Sequence, residues 1–457
     1  MKEIIVFGLG KFLREHIKYI ESKYDIKYFT DNNSNLWNTD PFNDGRICIN
    51  PNEICSIEDI QVVISVEKKE SQKEIQNQLE QLGVEYIYIQ DILLDCIREW
   101  DKKQIENAEK RMVACDIRES NHRIARYVEC NMGKQACNLR CSYCYVTQTR
   151  EIANKYIPFN HSPEFMVKAL SRQRLGGTSL INLCCDGEPL LSDEMLMFIR
   201  LLLEEGHYVY VVSNGTITKA IDRLCEFPRE LMSRLFIRFS YHYFELKRTN
   251  LTDEFFSNIK KIHKNGGSFS LVLVGSMDYV EEIEEIKRTC IKYLGALPQV
   301  DYVRNERKNS NGELVVDTNA GREDYIKIWD EFESIHLEYR KCADGRIKGE
   351  CYAGMLALHL DLMSGNASRC PAGPFVDNIY DDISKPIQFL EEPKGCPVNF
   401  CICAPVFFAF GLNPNYGNDW AFYDLYNRTT NYGKNWIQDS AKEFFTSKFS
   451  DENNMEQ

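Results

Sequence analysis

Apolar positions along this chain fall in short runs whose period changes from two to about 3.6 and back. Residues 3–7 form an apolar run that ends at Gly8-Leu9-Gly10, and residues 11–24 follow with helical spacing. Residues 26–30, closed by Asp31-Asn32-Asn33, then residues 61–66, a helix near 71–82 and residues 85–89 continue the alternation. The pattern predicts a small Rossmann-like α/β domain over residues 1–95, with the polar stretch 96–123 as a helical connector. From residue 124 the alternation resumes. Residues 124–130, 179–184, 208–212, 236–240, 268–274 and 299–303 read as strands. Helical patterns separate them. One opens Ser162-Pro163-Glu164 with a cap, a first-turn proline and an acidic first turn; another spans 193–205 and stops at Gly206. A third is capped by Thr252 and ends at Gly266-Gly267, and a fourth covers 279–293. Parallel strands need crossover helices, so the α/β core over residues 124–335 is expected to be an open, partial (β/α)6 barrel. Its chemistry should lie on the loops after the strands' carboxyl ends. Residues 358–362, the turn Ser364-Gly365-Asn366 and residues 367–370 predict a hairpin in a small α+β extension over 336–410. Residues 411–457 read as a tail. The aromatics in and before it (Phe407, Phe408, Trp420, Tyr423) are read as packing and its last stretch, DENNMEQ, as frayed.

Composition narrows the function more than the fold. Of 457 residues, 44% are hydrophobic and 27% charged, which suits two or three globular domains. With 55 basic against 68 acidic residues the net charge is −13, which offers no electrostatic grip on nucleic acid or an anionic membrane. No apolar run approaches a membrane span, and the opening MKEIIVFGLG reads as a strand instead of a signal peptide. A cytoplasmic protein with neither nucleic acid nor membrane as partner is the expectation. Against that background, 18 cysteines stand out, because a reducing compartment leaves them as thiols. One group is Cys137, Cys141 and Cys144; the other is Cys342, Cys351, Cys370, Cys396, Cys401 and Cys403. Scattered cysteines such as Cys48, Cys55, Cys225 and Cys290 are read as small hydrophobes.

In the first domain, a strand, a Gly-x-Gly turn and a helix with an acidic residue further on form a Rossmann-type signature. The third glycine position holds Leu13, so the fingerprint is partial and a pocket that binds no nucleotide stays open beside one that does. The pattern FGxG…DNN resembles the nucleotide-sugar-binding N-terminal domains appended to cell-surface polysaccharide enzymes.

In the core, Cys137-Asn-Leu-Arg-Cys141-Ser-Tyr-Cys144 sets three thiols on the loop after the first barrel strand. Soft donors at this spacing suit an iron–sulfur cluster or zinc. Structural zinc wants a fourth ligand, and the nearest, His161, is well downstream. Three cysteines on a 4Fe-4S cluster would leave one iron open. The spacing CxxxCxxC, with Tyr143 before the last cysteine, resembles the signature of the radical SAM superfamily. That resemblance implies a 4Fe-4S cluster on Cys137, Cys141 and Cys144, with S-adenosylmethionine (SAM) at the open iron. Asp186-Gly187-Glu188-Pro189 stands where the family has a GGEP-like motif whose main chain holds the SAM amino group. Aspartate replaces the first glycine and is expected to tolerate a left-handed backbone there. Ser213, Asn214, Arg238 and Ser240 resemble contacts to the SAM ribose and carboxylate, with a purely structural role equally open for each. His242 reads as a core or turn histidine first and a substrate contact second.

Cys351, then Gly365 followed by Cys370, resembles the opening of SPASM and twitch extensions. This implies one auxiliary 4Fe-4S cluster on Cys351, Cys370, Cys396 and one or both of Cys401 and Cys403, with Cys342 in reserve; a four-cysteine zinc site is the competing reading. The chemistry implied is reductive cleavage of SAM to a 5′-deoxyadenosyl radical that takes hydrogen from a substrate. An external donor such as flavodoxin or ferredoxin would supply the electron. Peptide maturases commonly carry a winged-helix domain where this chain carries Gly-x-Gly, so a nucleotide-linked sugar or small polar metabolite is favoured. A SPASM-type peptide or protein maturase is the alternative. From other classes come a non-catalytic iron–sulfur sensor or electron carrier and a zinc-stapled binding protein.

Overall fold

The structure, a computed structural model, describes residues 1–111, 123–149, 151–305, 322–342, 349–396, 401, 403–416 and 420–449. It falls into two compact units, residues 1–103 and 104–457.

The first unit is a five-stranded parallel sheet. Its strands are β1 (Lys2–Phe7), β2 (Tyr24–Thr30), β3 (Cys48–Ile49), β4 (Gln61–Ile64) and β5 (Tyr86–Tyr88), in the order β3-β2-β1-β4-β5. Ile4–Phe7 are buried on both faces, so the central strand reads as an unbroken apolar run. Helix Lys11–Glu21 covers one face with Leu13 and Ile20. Leu13, at the third glycine position of the signature, is therefore a core residue. Strand order reverses between β1 and β4, the switch point where doubly wound sheets place ligands, and Gly8 turns the chain there at φ +103. A Cβ on Gly8 would stand 2.5 Å from Val66 Cγ1. Asp31, beyond β2, accepts hydrogen bonds from the Leu9 and Asn33 amides at 2.8 and 2.9 Å. The acidic residue of the signature thus fastens the glycine turn.

Helix Ile89–Arg111 carries the chain into the second unit; the rest of the expected connector, 112–122, lies outside the described residues. The second unit holds β6 (Tyr127–Lys134), β7 (Leu180–Asp186), β8 (Tyr208–Ser213), β9 (Leu235–Tyr241), β10 (Ser268–Gly275) and β11 (Gln299–Tyr302). These six are parallel and adjacent in chain order, with crossover helices between them. Helix Asp193–Glu205 shows how local chemistry sets the ends: Ser192 Oγ accepts from the Glu194 amide at 3.1 Å, and Gly206 closes it in the left-handed region. Ser162 caps Pro163–Ala169 in the same way. Two expectations change in detail. Thr252 is the first helical residue of Thr252–Lys264, Leu251 holds the cap position, and no side chain caps the helix. The helix expected over 279–293 begins as a 3-10 turn, Met277–Glu282, before Ile283–Leu294.

Further on come β12 (Glu350–Cys351), β13 (Ala357–Asp361), β14 (Asn366–Ser368), β15 (Phe375–Asn378) and β16 (Lys394–Gly395). The expected hairpin forms between β13 and β14, turning at Gly365 (φ +76), where a Cβ would meet the Tyr380 ring at 2.4 Å. Instead of standing apart in its own sheet, β13 pairs in parallel with β6 and extends the barrel sheet. Residues 411–449 also depart from a tail. Tyr208 stacks on Phe444 with ring centres 3.7 Å apart, Phe269 stacks on Trp436, and Tyr210 donates its hydroxyl to Tyr426 at 3.0 Å. These contacts lay the short helices Phe422–Tyr426 and Asp439–Thr446, each too brief to show a period in sequence, against β8 and β10. The terminal DENNMEQ lies outside the described residues. Among the described residues no helix is long and apolar enough to cross a membrane.

Candidate active site

The cysteine loop is aimed by a bulge. In β6 the register slips between Asn131 and Lys134, Gly133 adopts φ +62, and Asn131 Oδ1 accepts from the Gly133 amide at 2.6 Å. The loop then lies against the β7 turn through two backbone hydrogen bonds. Gln135 N donates to Asp186 O at 3.0 Å, and Glu188 N to Ala136 O at 2.8 Å. Approach is so close that a Cβ on Gly187 would sit 2.4 Å from Ala136 O and 2.8 Å from the Gln135 carbonyl carbon. Only glycine fits. Asp186, in contrast, is the last residue of β7 with extended backbone, so no left-handed turn is asked of it.

Glu188 knots the next loop into the same assembly. Fully buried, its carboxylate accepts from Ser213 Oγ (2.8 Å), the Asn214 amide (2.7 Å) and the Leu190 amide (3.1 Å). Burial pushes its pKa up to about 7, and the three donors oppose that rise. Asn214 in turn donates to Asn138 Oδ1 at 2.9 Å and lies 3.9 Å from Cys137 Sγ. On the other side, Arg140 N donates to Glu245 Oε2 at 3.0 Å. Tyr143 OH pairs with His242 Nδ1 at 2.7 Å, and burial lowers His242 to about 4, leaving it neutral near pH 7. His242 thus holds the aromatic of the cysteine loop.

A cavity of about 320 Å³ opens at this edge. Cys137, Cys141, Cys144, Gly187, Glu188, Ser213, Asn214, Arg238, Ser240 and His242 all line it, while Pro189 is buried beside the turn. His161 stacks on Phe165 away from the lining. Cys403, expected as a cluster ligand, also lines the cavity, and sequence reasoning missed the rest of the wall: Glu129 and Asn182 from β6 and β7, Asp301 from β11, and His336, Arg340 and Tyr426 from beyond the barrel. Arg340 grips Asp301 with two hydrogen bonds, at 2.7 and 3.1 Å. Asp301 is held well below the usual carboxylate range by Arg340 and its neighbours against the cost of burial, and burial pushes His336 down to about 3. A usable signal existed for the strand residues. Glu129, Asn182 and Asp301 are polar interruptions in buried strands, which are costly unless they serve a ligand or a network.

The second cysteine group gathers next to the β12–β16 pair, where Cys351 is paired with Lys394, two residues before Cys396. Arg369 ties this corner together. It donates from Nε to Ala353 O (2.9 Å), from Nη1 to Gly395 O (2.8 Å) and from Nη2 to Cys351 O (3.1 Å) and Lys394 O. Burial raises the Cys401 thiol, which is close enough to Cys351, Cys396 and Cys370 to feel their charge. Cys403 differs: it lines the cavity, its thiol donates to Glu129 Oε2 at 3.2 Å, and its neighbours in order of influence are Glu129, Cys401 and Cys370. Cys342 is exposed at the end of helix Ile335–Cys342. Among the described residues no three His, Cys, Asp or Glu side chains already close on one metal ion.

Residues 134–290 match the family described as the radical SAM superfamily. This stretch is a radical SAM domain, and the chain that carries it is an enzyme. Such a domain works with SAM and a 4Fe-4S cluster. No curated protein matches the sequence. Among solved structures, Streptococcus suis SuiB is 12% identical, with 69% of this chain and 75% of that one covered and a TM-score of 0.39. A structure of native anSMEcpe with bound AdoMet is also 12% identical, covering 56% and 78%, at a TM-score of 0.39. TYW1 with a lysine-pyruvate adduct bound is 15% identical, covering 51% and 82%, at 0.31. Likenesses this low carry no argument about the reaction.

Proposed function

We propose that Cys137, Cys141 and Cys144 hold the SAM-binding 4Fe-4S cluster, and that SAM lies along Gly187–Glu188, Ser213–Asn214, Arg238 and Ser240. The observation that supports this reading is the convergence of all these residues on one cavity beside three soft donors. Bound there, cluster and SAM supply a one-electron cleavage that yields methionine and a 5′-deoxyadenosyl radical. The chain's own residues bind, orient and exclude water. Glu188 and Asn214 fix the turns, Gly187 lets the two loops touch, and His242 steadies Tyr143. Cys351, Cys370, Cys396 and Cys401 are the ligand set for one auxiliary 4Fe-4S cluster. The substrate is a nucleotide-linked sugar or small polar metabolite: the first unit carries a Gly-x-Gly turn at the switch point of a parallel sheet, and the inner wall of the cavity is polar. A low-potential one-electron protein donor completes the system.

The test is anaerobic reconstitution with iron and sulfide, then SAM and dithionite, with 5′-deoxyadenosine measured by chromatography. Wild type should form it, and the variant with Cys137, Cys141 and Cys144 all changed to Ala should not. An iron-free, colourless wild type would overturn the reading. A modified peptide recovered on co-expression with a neighbouring precursor would replace the small-molecule substrate.

A further inference from the structure

Three buried groups on the inner wall have no role in the scheme above. Asn182 is 7% exposed and spends its amide N–H on Tyr127 OH at 2.8 Å, leaving Oδ1 with no hydrogen-bond partner. His336 is 1% exposed, and its Nδ1 makes no hydrogen bond, lying 3.6 Å from Asp301 Oδ1. Leaving such atoms unmet is costly, and a polar ligand in the cavity meets that cost. The thiol of Cys403 lines the same cavity and donates to Glu129.

Resting on the radical SAM reading, we propose that Cys403 is a hydrogen-atom donor to the substrate. An S–H bond is weaker than an ordinary C–H bond, so a thiol in a cavity that generates carbon radicals gives up its hydrogen downhill. In the step, the Cys403 S–H bond breaks homolytically and a C–H bond forms on the substrate carbon that had lost its hydrogen. Sulfur keeps the unpaired electron. One electron from the low-potential donor that drives SAM cleavage, and one proton passed through Glu129, restore the thiol. Each turnover then uses one SAM, two electrons and one proton, gives methionine and 5′-deoxyadenosine, and leaves the substrate carbon at its original oxidation level. The reaction class is replacement of hydrogen at a carbon centre, an epimerisation when hydrogen returns to the opposite face. The substrate is a small polar molecule whose hydrogen-bond donors meet Asn182 Oδ1.

The test needs no substrate. In D₂O the thiol carries deuterium, and with SAM and dithionite alone the radical is quenched by what lies within reach. Wild type should give 5′-deoxyadenosine carrying one deuterium. Cys403→Ala should lose that deuterium while keeping wild-type iron per chain, in contrast to Cys401→Ala. Cys403→Ser, which preserves size but has a stronger O–H bond, should behave like Cys403→Ala and covers a folding failure of the first variant. Unchanged deuteration in both variants, or iron lost from both, would overturn the proposal. Absence of 5′-deoxyadenosine from iron-loaded wild type would instead overturn the reading on which it rests.

Discussion

Changing Glu188 to Gln probes the knot between the β7 turn, the β8 turn and the cysteine loop. The carboxylate accepts from Ser213, Asn214 and Leu190, two of them backbone amides that can only donate. Glutamine offers one oxygen and sets an NH₂ against at least one of these donors. A buried donor left unmet costs about 1–3 kcal/mol. If that cost falls on the placement of Asn214, SAM affinity drops roughly 5- to 150-fold. A second signature is pH. Glu188 titrates near 4.5 when unfolded and near 7 when folded, because burial disfavours its charge. Its contribution is therefore fully present below pH 4.5 and is lost as pH rises through 7. At about 1.4 kcal/mol per unit this amounts to roughly 3 kcal/mol across the window. Glutamine removes that titration. Urea unfolding of the metal-free chain at pH 5 and pH 8, with calorimetric titration of SAM into the cluster-loaded protein, gives both numbers. The reasoning fails if the stability gap between wild type and Glu188→Gln is the same at both pH values and SAM binds both within twofold.

Other consequences are more local. Gly187→Ala forces a Cβ onto the backbone of Gln135 and Ala136, so SAM affinity should fall more than about tenfold, measured by the same titration, with iron content unchanged. Arg369→Ala strips the donors from carbonyls on both sides of the second cysteine group. Iron per chain should fall to about half of wild type, with the SAM-dependent cluster signal retained in the electron paramagnetic resonance spectrum. Phe444→Ala removes the ring stacked on Tyr208 and should cost about 3–5 kcal/mol in denaturant unfolding; a loss under 1 kcal/mol would mean that residues 411–449 are a tail after all.

What the sequence showed best was whatever repeats or clusters locally. The six parallel strands were legible because each is a buried apolar run followed by a helical one, and the cysteine loop because its donors sit close together in the chain. The turn at Asp186-Gly187 was legible in place but not in mechanism. Its glycine answers a backbone 50 residues upstream, which spacing cannot reveal. Leu13 looked like a broken motif and is a core side chain. Cys403 read naturally with Cys401, two positions away, yet its strongest neighbour is Glu129 on β6. Asp301, His336 and Arg340 come together only when a helix beyond the barrel folds back against β11. The C-terminal aromatics were legible as packing but not their partners on β8 and β10, because the helices that carry them have only five and eight residues.

The most direct measurement isolates the three-cysteine cluster. In a variant with Cys351, Cys370, Cys396 and Cys401 all changed to Ala, reconstituted and reduced without oxygen, the paramagnetic resonance spectrum is recorded before and after SAM. If Cys137, Cys141 and Cys144 hold a cluster with an open iron, one 4Fe-4S signal should be present and its g-values should shift when SAM binds. A signal that SAM leaves untouched, or no cluster at all in that variant while wild type is loaded, would contradict the account.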